Sequence, residues 1–346
     1  MTMSRPLAGF LCAAVLGFAV TPWLAGEFYI DLMIRIMILG IFAMSLDLLV
    51  GYTGLISFGH AAFFGLSGYI LAIVTPESGP ITVWYALFMC LAGSAIAAAA
   101  IGWVSVRTSG IYFIMITLAF SQMFFYYFNG SVELGSSDGI FIYFRPEVTL
   151  GGFALIDLGD EYTFYYFVLA SLVGSYFFLT MVLRSPFGKV IQGVRANEAR
   201  TRALGFATQR YKLVSFIIAG TLAGFAGFLE ATHTGFVSPA HLGWHESGMI
   251  LIILILGGIG TLYGAVMGAF VMVFMQDKLQ EISDLWLLLM GFFVIAVVLF
   301  LPHGIAGLFA RLAGKEPDDG MQVSDERLAA TVPAKTREGA DGGGAA

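Results

Sequence analysis

Residues 248–275 read GMILIILILGGIGTLYGAVMGAFVMVFM, a run without a single charged side chain. Crossing about 30 Å of hydrocarbon takes only about 20 apolar residues, so this run is longer than one ordinary span requires. It also carries a seam, Gly257-Gly258-Ile259-Gly260-Thr261-Leu262-Tyr263-Gly264. Two shorter helical pieces meeting at that seam are the natural reading. Non-helical backbone at membrane depth is tolerated only where it is buried in protein or lines a cavity. Gly257, Gly258, Gly260 and Thr261 are therefore candidates for the wall of a translocation path.

Working outward, further uncharged runs fall near 8–25, 36–52 (interrupted by Asp47), 55–75, 81–103, 111–128, 162–183, 213–229 and 285–301. With the broken run they predict about ten membrane segments, eight ordinary and two short. The fold class is an all-α polytopic membrane helix bundle that includes short or broken helices. Composition agrees: 58% of the 346 residues are hydrophobic and 12% charged, with a mean hydropathy of +0.86. A soluble domain carries about 25% charged residues, so a surface this poor in charge faces lipid or other protein. The net charge of −6 argues against a nucleic-acid partner. Cys12 and Cys90 each sit in an apolar stretch, which gives neither a disulfide framework nor metal-ligand spacing. Arg5 precedes the first run as in a secretory signal, but Pro22-Trp23-Leu24 occupy the cleavage region, so that run reads as an uncleaved span.

Basic residues accumulate in cytoplasmic loops. The loop 184–212 carries Arg184, Lys189, Arg195, Arg200, Arg202, Arg210 and Lys212 against Glu198 alone, and is assigned to the cytoplasm. The loop 129–161 carries Glu133, Asp138, Glu147, Asp157, Asp160 and Glu161 against Arg145, and is assigned to the periplasm. Alternating the spans places both termini in the cytoplasm, and only an outward-facing Arg35 breaks the rule. Parity between 212 and the basic residues Arg311 and Lys315 independently requires the broken helix. Residues 1–313 then form the membrane domain, and the polar, small-residue tail 314–346 reads as disordered.

Four features carry candidate function. Gly220-x-x-x-Gly224 and the series Gly260, Gly264, Gly268 have i, i+4 spacing, which lets helix backbones approach closely; packing within the chain is the simpler reading beside dimerisation. The stretch Asp47–Gly68 joins two spans through an uncharged, glycine-rich corner. There Asp47, Gly54, Ser57, Gly59 and His60 either line a solute path, as an intramembrane acid suggests, or, for Asp47, satisfy backbone N–H groups at the Gly51–Gly54 break. In the basic loop, Pro186 and Gly188 suit a turn. Val190–Leu204 reads as a short amphipathic helix with Val190, Ile191 and Val194 on one face, Arg195, Glu198 and Arg202 opposite, and Gly205 as C-cap. It is either a solvated loop or a helix that docks into a partner. In the stretch with His233, His241 and His245, the i, i+4 pair His241 and His245 allows a metal to be considered, but no nearby third-ligand pattern accompanies the pair and no metal site is assigned. Glu230 reads as a cap or loop contact. No Gly-x-x-x-x-Gly-Lys-Ser/Thr loop and no nucleophile–base pair occur, so an enzyme is not indicated.

The stretches Ser45–Tyr69, Gly110–Gln122, Ser185–Lys212, Gly220–Gly227, Gly257–Gly268 and Leu301–Leu308 together resemble the M-type permease subunit of bacterial branched-chain amino acid importers of the ATP-binding-cassette class. The resemblance implies a multi-pass inner-membrane protein without a cofactor. It implies a heterodimer with an H-type permease, two cytoplasmic ATPase subunits, and a periplasmic binding protein that delivers the cargo. Arg195, Glu198, Ala199 and Gly205 look like the segment that couples to the ATPase, with Gly188 and Arg202 completing the candidate set. Arg200 stands where the general importer pattern has a second alanine, and Gly205 lies one residue farther along. Related permeases carry urea or short amides. An ion-coupled secondary transporter is the alternative from another class, with Asp47 as its fair candidate for an ionisable midplane group.

Overall fold

In an apolar run surrounded by hydrocarbon, the chain satisfies its N–H and C=O groups by hydrogen-bonding within the segment, and the result is helix. The computed structural model describes residues 15–23, 26–76, 79–150, 153–156, 158–301 and 304–307. The tail 314–346 and much of the first run 8–25 lie outside these. Helix α1 covers 15–23. It is followed by α2 (Glu27–Asp47), α3 (Ala61–Val74), α4 (Val83–Ser105), α5 (Ile111–Gly130), α6 (Glu161–Arg184), α7 (Pro186–Ala196), α8 (Glu198–Ala203), α9 (Thr208–Thr234), α10 (Trp244–Gly257), α11 (Leu262–Ile282) and α12 (Trp286–Phe300).

Seven helices among the described residues are long and apolar enough to cross a membrane, and two more apolar helices, Ala61–Val74 and Trp244–Gly257, are shorter. This is an all-α polytopic bundle. The break in 248–275 is present, but its two halves are unequal: α10 has 14 residues and α11 has 21. The second short helix is α3, in the run 55–75, which the sequence presents as an ordinary span. Its first residues do not enter the helix, because α3 begins only at Ala61.

The span Phe28–Thr53 is the axis of the bundle. Its most apolar window is 89% buried, against 22–28% for α4, α5 and α6. It packs on α6, α9, α10 and α11, while α9 also packs on α3 and α4. The outer helices expose large apolar side chains such as Trp84, Phe88, Tyr112, Met115 and Phe177, as a lipid-facing surface does.

Small residues set the close helix approaches. A Cβ on Gly220 would stand 2.7 Å from the Ala98 Cβ, and one on Gly227 would stand 2.7 Å from the Phe64 carbonyl carbon. A Cβ on Gly264 would lie 2.7 Å from the Gly257 carbonyl oxygen, so the same device closes the α10–α11 hairpin. The glycine series thus serves packing within the chain.

Among the described residues, small β elements appear in the connections. Strand β1 (Ile140–Phe141), in the acidic loop 129–161, pairs antiparallel with Phe236–Val237 just after α9. Within the same loop β2 (Val148–Leu150) pairs with β3 (Phe153–Ile156). The acidic loop is therefore clipped to the end of α9 opposite the basic segment 184–212.

Replacing Gly227 by Val should cost about 1–3 kcal/mol through overpacking against the α3 backbone. Gly174→Ala, where a Cβ meets nothing within 4 Å, should not destabilise. Thermal unfolding in detergent tests the pair; equal midpoints would refute the packing role.

Candidate functional site

Helix α2 loses α geometry immediately after Asp47. Leu48–Thr53 form a π turn, and Gly54 ends it in the left-handed region at φ +78°. Such turns are rare and concentrate at functional sites. Backbone groups freed at this break find hydroxyl partners, one within the turn and others on neighbouring helices. Thr53 Oγ1 donates to the Leu48 carbonyl at 2.9 Å and lies 2.8 Å from Ser215 Oγ of α9. The chain then runs without helix to His60. Its Phe58 N–H donates to Thr117 Oγ1 at 3.3 Å, and the Ala61 N–H donates to Ser247 Oγ at 2.9 Å. His60 Nε2 lies 2.9 Å from Ser45 Oγ, with its ring stacked on Phe42.

The second discontinuity is the turn between α10 and α11. Gly258 and Gly260 adopt φ of +110° and +84°, conformations that a side chain would strain. Thr261 Oγ1 donates to the Gly258 carbonyl at 2.7 Å, satisfying one of the freed groups.

The two discontinuities meet. Asp47 Oδ1 accepts the Gly260 N–H at 2.7 Å, and a Cβ on Gly51 would stand 2.6 Å from that same nitrogen. Asp47 thus does satisfy backbone, but at the distant Gly260 rather than in its own Gly51–Gly54 corner. Its Oδ2 has no hydrogen-bond partner.

A third element reaches the junction. The Arg195 guanidinium, from the end of α7, donates to the Gly51 carbonyl. Its stem covers Gly54, where a Cβ would come within 3.3 Å of the Arg195 Cγ. A Cβ on Gly260 would lie 3.4 Å from the Arg195 Nη1. One arginine of the basic loop therefore touches both helix breaks.

The basic loop is built differently from the single helix 190–204 that its sequence suggests. Pro186 is no turn residue but the first residue of α7, whose N-cap Ser185 accepts the Gly188 N–H at 3.3 Å. Gly188 lies inside that helix against the Leu183 backbone. Asn197 interrupts the helix with extended geometry, and its side chain caps α8 by accepting the Arg200 N–H at 2.9 Å. Ile191 and Val194 are buried and Val190 is half-buried, so the apolar face stands. Gly205 follows the end of α8 at φ +90°, as a glycine C-terminus requires. Ala199 and Arg202 are exposed.

Glu198 ties this segment to α9. It accepts from Lys212 Nζ at 2.5 Å, Thr208 Oγ1 at 3.1 Å and Arg202 Nη2 at 3.0 Å. Burial pushes its carboxyl up. The Lys212 hydrogen bond and charge, with Thr208 and Arg202, outweigh that and hold it below the ordinary range.

Of the path candidates, Ser57, Gly59, His60, Gly257 and Gly258 are buried, Gly260 and Thr261 are half-buried, and Gly54 is exposed beside Arg195. The hydroxyls of Ser45, Thr53, Thr117, Ser215 and Ser247 were not singled out by sequence. Their one signal was polarity inside apolar runs. Among the described residues no group of three or more His, Cys, Asp or Glu is placed to hold a metal ion. The Oε2 of Glu230, read as a cap or loop contact, is buried without a hydrogen-bond partner.

Residues 28–298 match the profile of a family described as branched-chain amino acid transport system / permease component. The chain is 27% identical over 315 residues to the high-affinity branched-chain amino acid transport system permease protein LivM of Salmonella typhimurium, covering 86% of this chain and 74% of that protein. The same figures hold for LivM of Escherichia coli K12. It is 22% identical over 282 residues to the L-arabinose ABC transporter permease protein AraH of Azospirillum brasilense, covering 78% and 77%. No solved structure matches the chain.

The Glu198 tie has a pH signature. Because its folded carboxyl is depressed, it stabilises α8 above the ordinary glutamate value of about 4.3, and that contribution is lost as pH falls through the lower folded value. Glu198→Gln should raise amide exchange across 197–207 at neutral pH. The natural protein should show the same rise only below about pH 4, after correction for intrinsic rates. Unchanged exchange in the variant would mean that the segment is held by something else.

Proposed function

Because the chain belongs to the family of branched-chain amino acid transport system permease components, we propose that it is the membrane-spanning subunit of an importer that moves branched-chain amino acids at the expense of ATP hydrolysed on separate subunits. Its relatives are permease components of ABC transporters, and its helices mark it as an integral membrane protein. The bacterial inner membrane is its location in this reading, with the basic loop and both termini in the cytoplasm. Its partners are an H-type permease, two ATPases and a periplasmic binding protein. The relatives named for branched-chain amino acids resemble the chain more, and over more of its length, than the arabinose permease does, which supports the amino-acid cargo.

The observation that carries the coupling part is the reach of Arg195 from α7 to the Gly51 carbonyl beside Asp47 and Gly260. In this reading α7 and α8 form the ATPase-facing segment, with Gly188, Arg195, Glu198, Ala199, Arg202 and Gly205 as its parts. Glu198 braces the segment on α9, and Arg195 connects it to the two breaks. Displacement of α7 by a closing ATPase then acts on the junction rather than on a smooth helix surface. The two access states must make different contacts there, since only differential interaction shifts an equilibrium. Asp47, Gly54, Ser57, Gly59, His60, Gly257, Gly258, Gly260 and Thr261 are the residues assigned to the moving wall.

In proteoliposomes holding the complete transporter, Arg195→Gln should lower leucine uptake about tenfold or more, as loss of a coupling free energy of 1–3 kcal/mol implies. The ATPases should still co-purify. Full uptake by a double Arg195→Gln, Glu198→Gln variant would overturn the coupling assignment.

A further inference from the structure

A groove of about 450 Å³ runs between α4 and α6. Helix α4 packs on α9 and helix α6 packs on α2, which leaves α9 as the floor between them. Ile217, Thr221 and Phe225 lie on that floor, with Leu91 of α4 on one wall and Gly174 and Phe178 of α6 on the other. Gly174 keeps the α6 wall open, since a Cβ there would meet nothing within 4 Å.

All three helices are long and apolar enough to cross a membrane, so the groove lies at membrane depth. Its lining is almost wholly apolar. The Ser171 and Thr221 hydroxyls donate to the Phe167 and Ile217 carbonyls of their own helices, at 2.8 and 2.7 Å, and so are already satisfied. Size narrows the occupant further. A helix about 10 Å across takes about 400 Å³ for each 5.4 Å turn, and the floor from Ile217 to Phe225 is more than two turns long. The groove is too slender for a helix. At about 30 Å³ for a group the size of a water, which a methylene resembles, it has room for the greater part of one acyl chain.

The floor also leads to a charge. Arg210, Val214, Ile217, Thr221 and Phe225 follow i, i+4, i+7, i+11 and i+15, one face of α9. Val214 and Arg210 are exposed, so the apolar face continues from the groove to the guanidinium. Among the described residues Arg210 forms no ion pair, because Glu198, the one acid of the basic loop, is taken by Lys212 and Arg202. Along the helix axis Arg210 stands about 10 Å from Ile217 and about 22 Å from Phe225. One leaflet has that depth, with about 15 Å of hydrocarbon under about 6 Å of headgroups.

We infer that the groove binds an acyl chain of an anionic phospholipid from the leaflet on the basic-loop side, with the lipid phosphate on Arg210. The planar guanidinium suits a phosphate taken two-pronged. The site needs only that the chain spans a membrane, and it is independent of the cargo and of the Arg195 junction.

The test uses phosphatidylglycerol with a photoactivatable group in its acyl chain, in nanodiscs holding the full chain with its associated subunits, and maps the labelled residues by mass spectrometry. Labelling of 217–225 should exceed that of the exposed α5 face around Met115 about fivefold or more, the worth of one arginine beside an anionic surface. Arg210→Gln should remove most of that excess. Gly174→Leu, which fills the groove, should abolish it and leave the Met115 labelling as it was. Labelling of 217–225 no stronger than at Met115 overturns the site, as does an excess that Arg210→Gln leaves unchanged. Label that reaches the groove in the chain alone but not with its subunits bound also overturns it, since protein then covers the groove. The comparison within the natural protein and the exposed Arg210→Gln decide even where Gly174→Leu fails to assemble.

Discussion

Backbone polar groups that leave a helix at membrane depth have no water to turn to, and each must find a partner in the protein. This chain leaves helix twice, after Asp47 and after Gly257, and solves the problem by setting the two breaks against each other. The Asp47 carboxylate takes the Gly260 N–H, Gly51 approaches Gly260 closely enough that Gly51 tolerates no side chain, and Arg195 donates to the Gly51 carbonyl. Along the linker the Thr117 and Ser247 hydroxyls accept the Phe58 and Ala61 N–H groups, and Thr53, beside Ser215, donates to the Leu48 carbonyl. Much of the bundle exists to hold this junction: α2 carries one break through the centre, and the α10–α11 hairpin closes on glycines to present the other.

The same constraint explains why the junction suits a moving part. A regular helix satisfies its own backbone, whereas this junction depends on a few hydrogen bonds from separate elements. Arg195 contributes one of those bonds from a surface segment that is itself tied to α9 through Glu198. In the proposed coupling, force on α7 and α8 arrives at the place where helices are already interrupted. The central helix α2 connects the two ends of the bundle, with Arg35 near its start and Asp47 at its end.

The sequence reveals much of this, but unevenly. The membrane class, the helical fold and the seam at Gly257–Gly264 are legible because apolar length and clustered glycine are local signals. Residues 55–60 are not, since an apolar, glycine-bearing stretch has the same hydropathy whether helical or extended; only the tertiary hydroxyl contacts decide. The division of the basic loop at Asn197 did leave a sign, an N-capping residue followed by an acid, which is how a helix starts. The partner of Asp47 left none, because Gly260 lies 213 positions away and no spacing rule reaches that far. Arg35 stands out only as an exception to the rule about loops, and it is exposed on α2.

The central claim is that α7 and the two helix breaks move as one unit. Spin labels at Gln192 on α7 and Ile259 in the second break, read by pulsed electron resonance in the complete transporter with and without ATP, test it most directly. A rigid unit keeps their separation constant while both shift against a third label on the outer helix α4. A separation that changes with nucleotide, the break staying fixed to α4, would show that α7 slides over the junction without moving it, and would contradict the account.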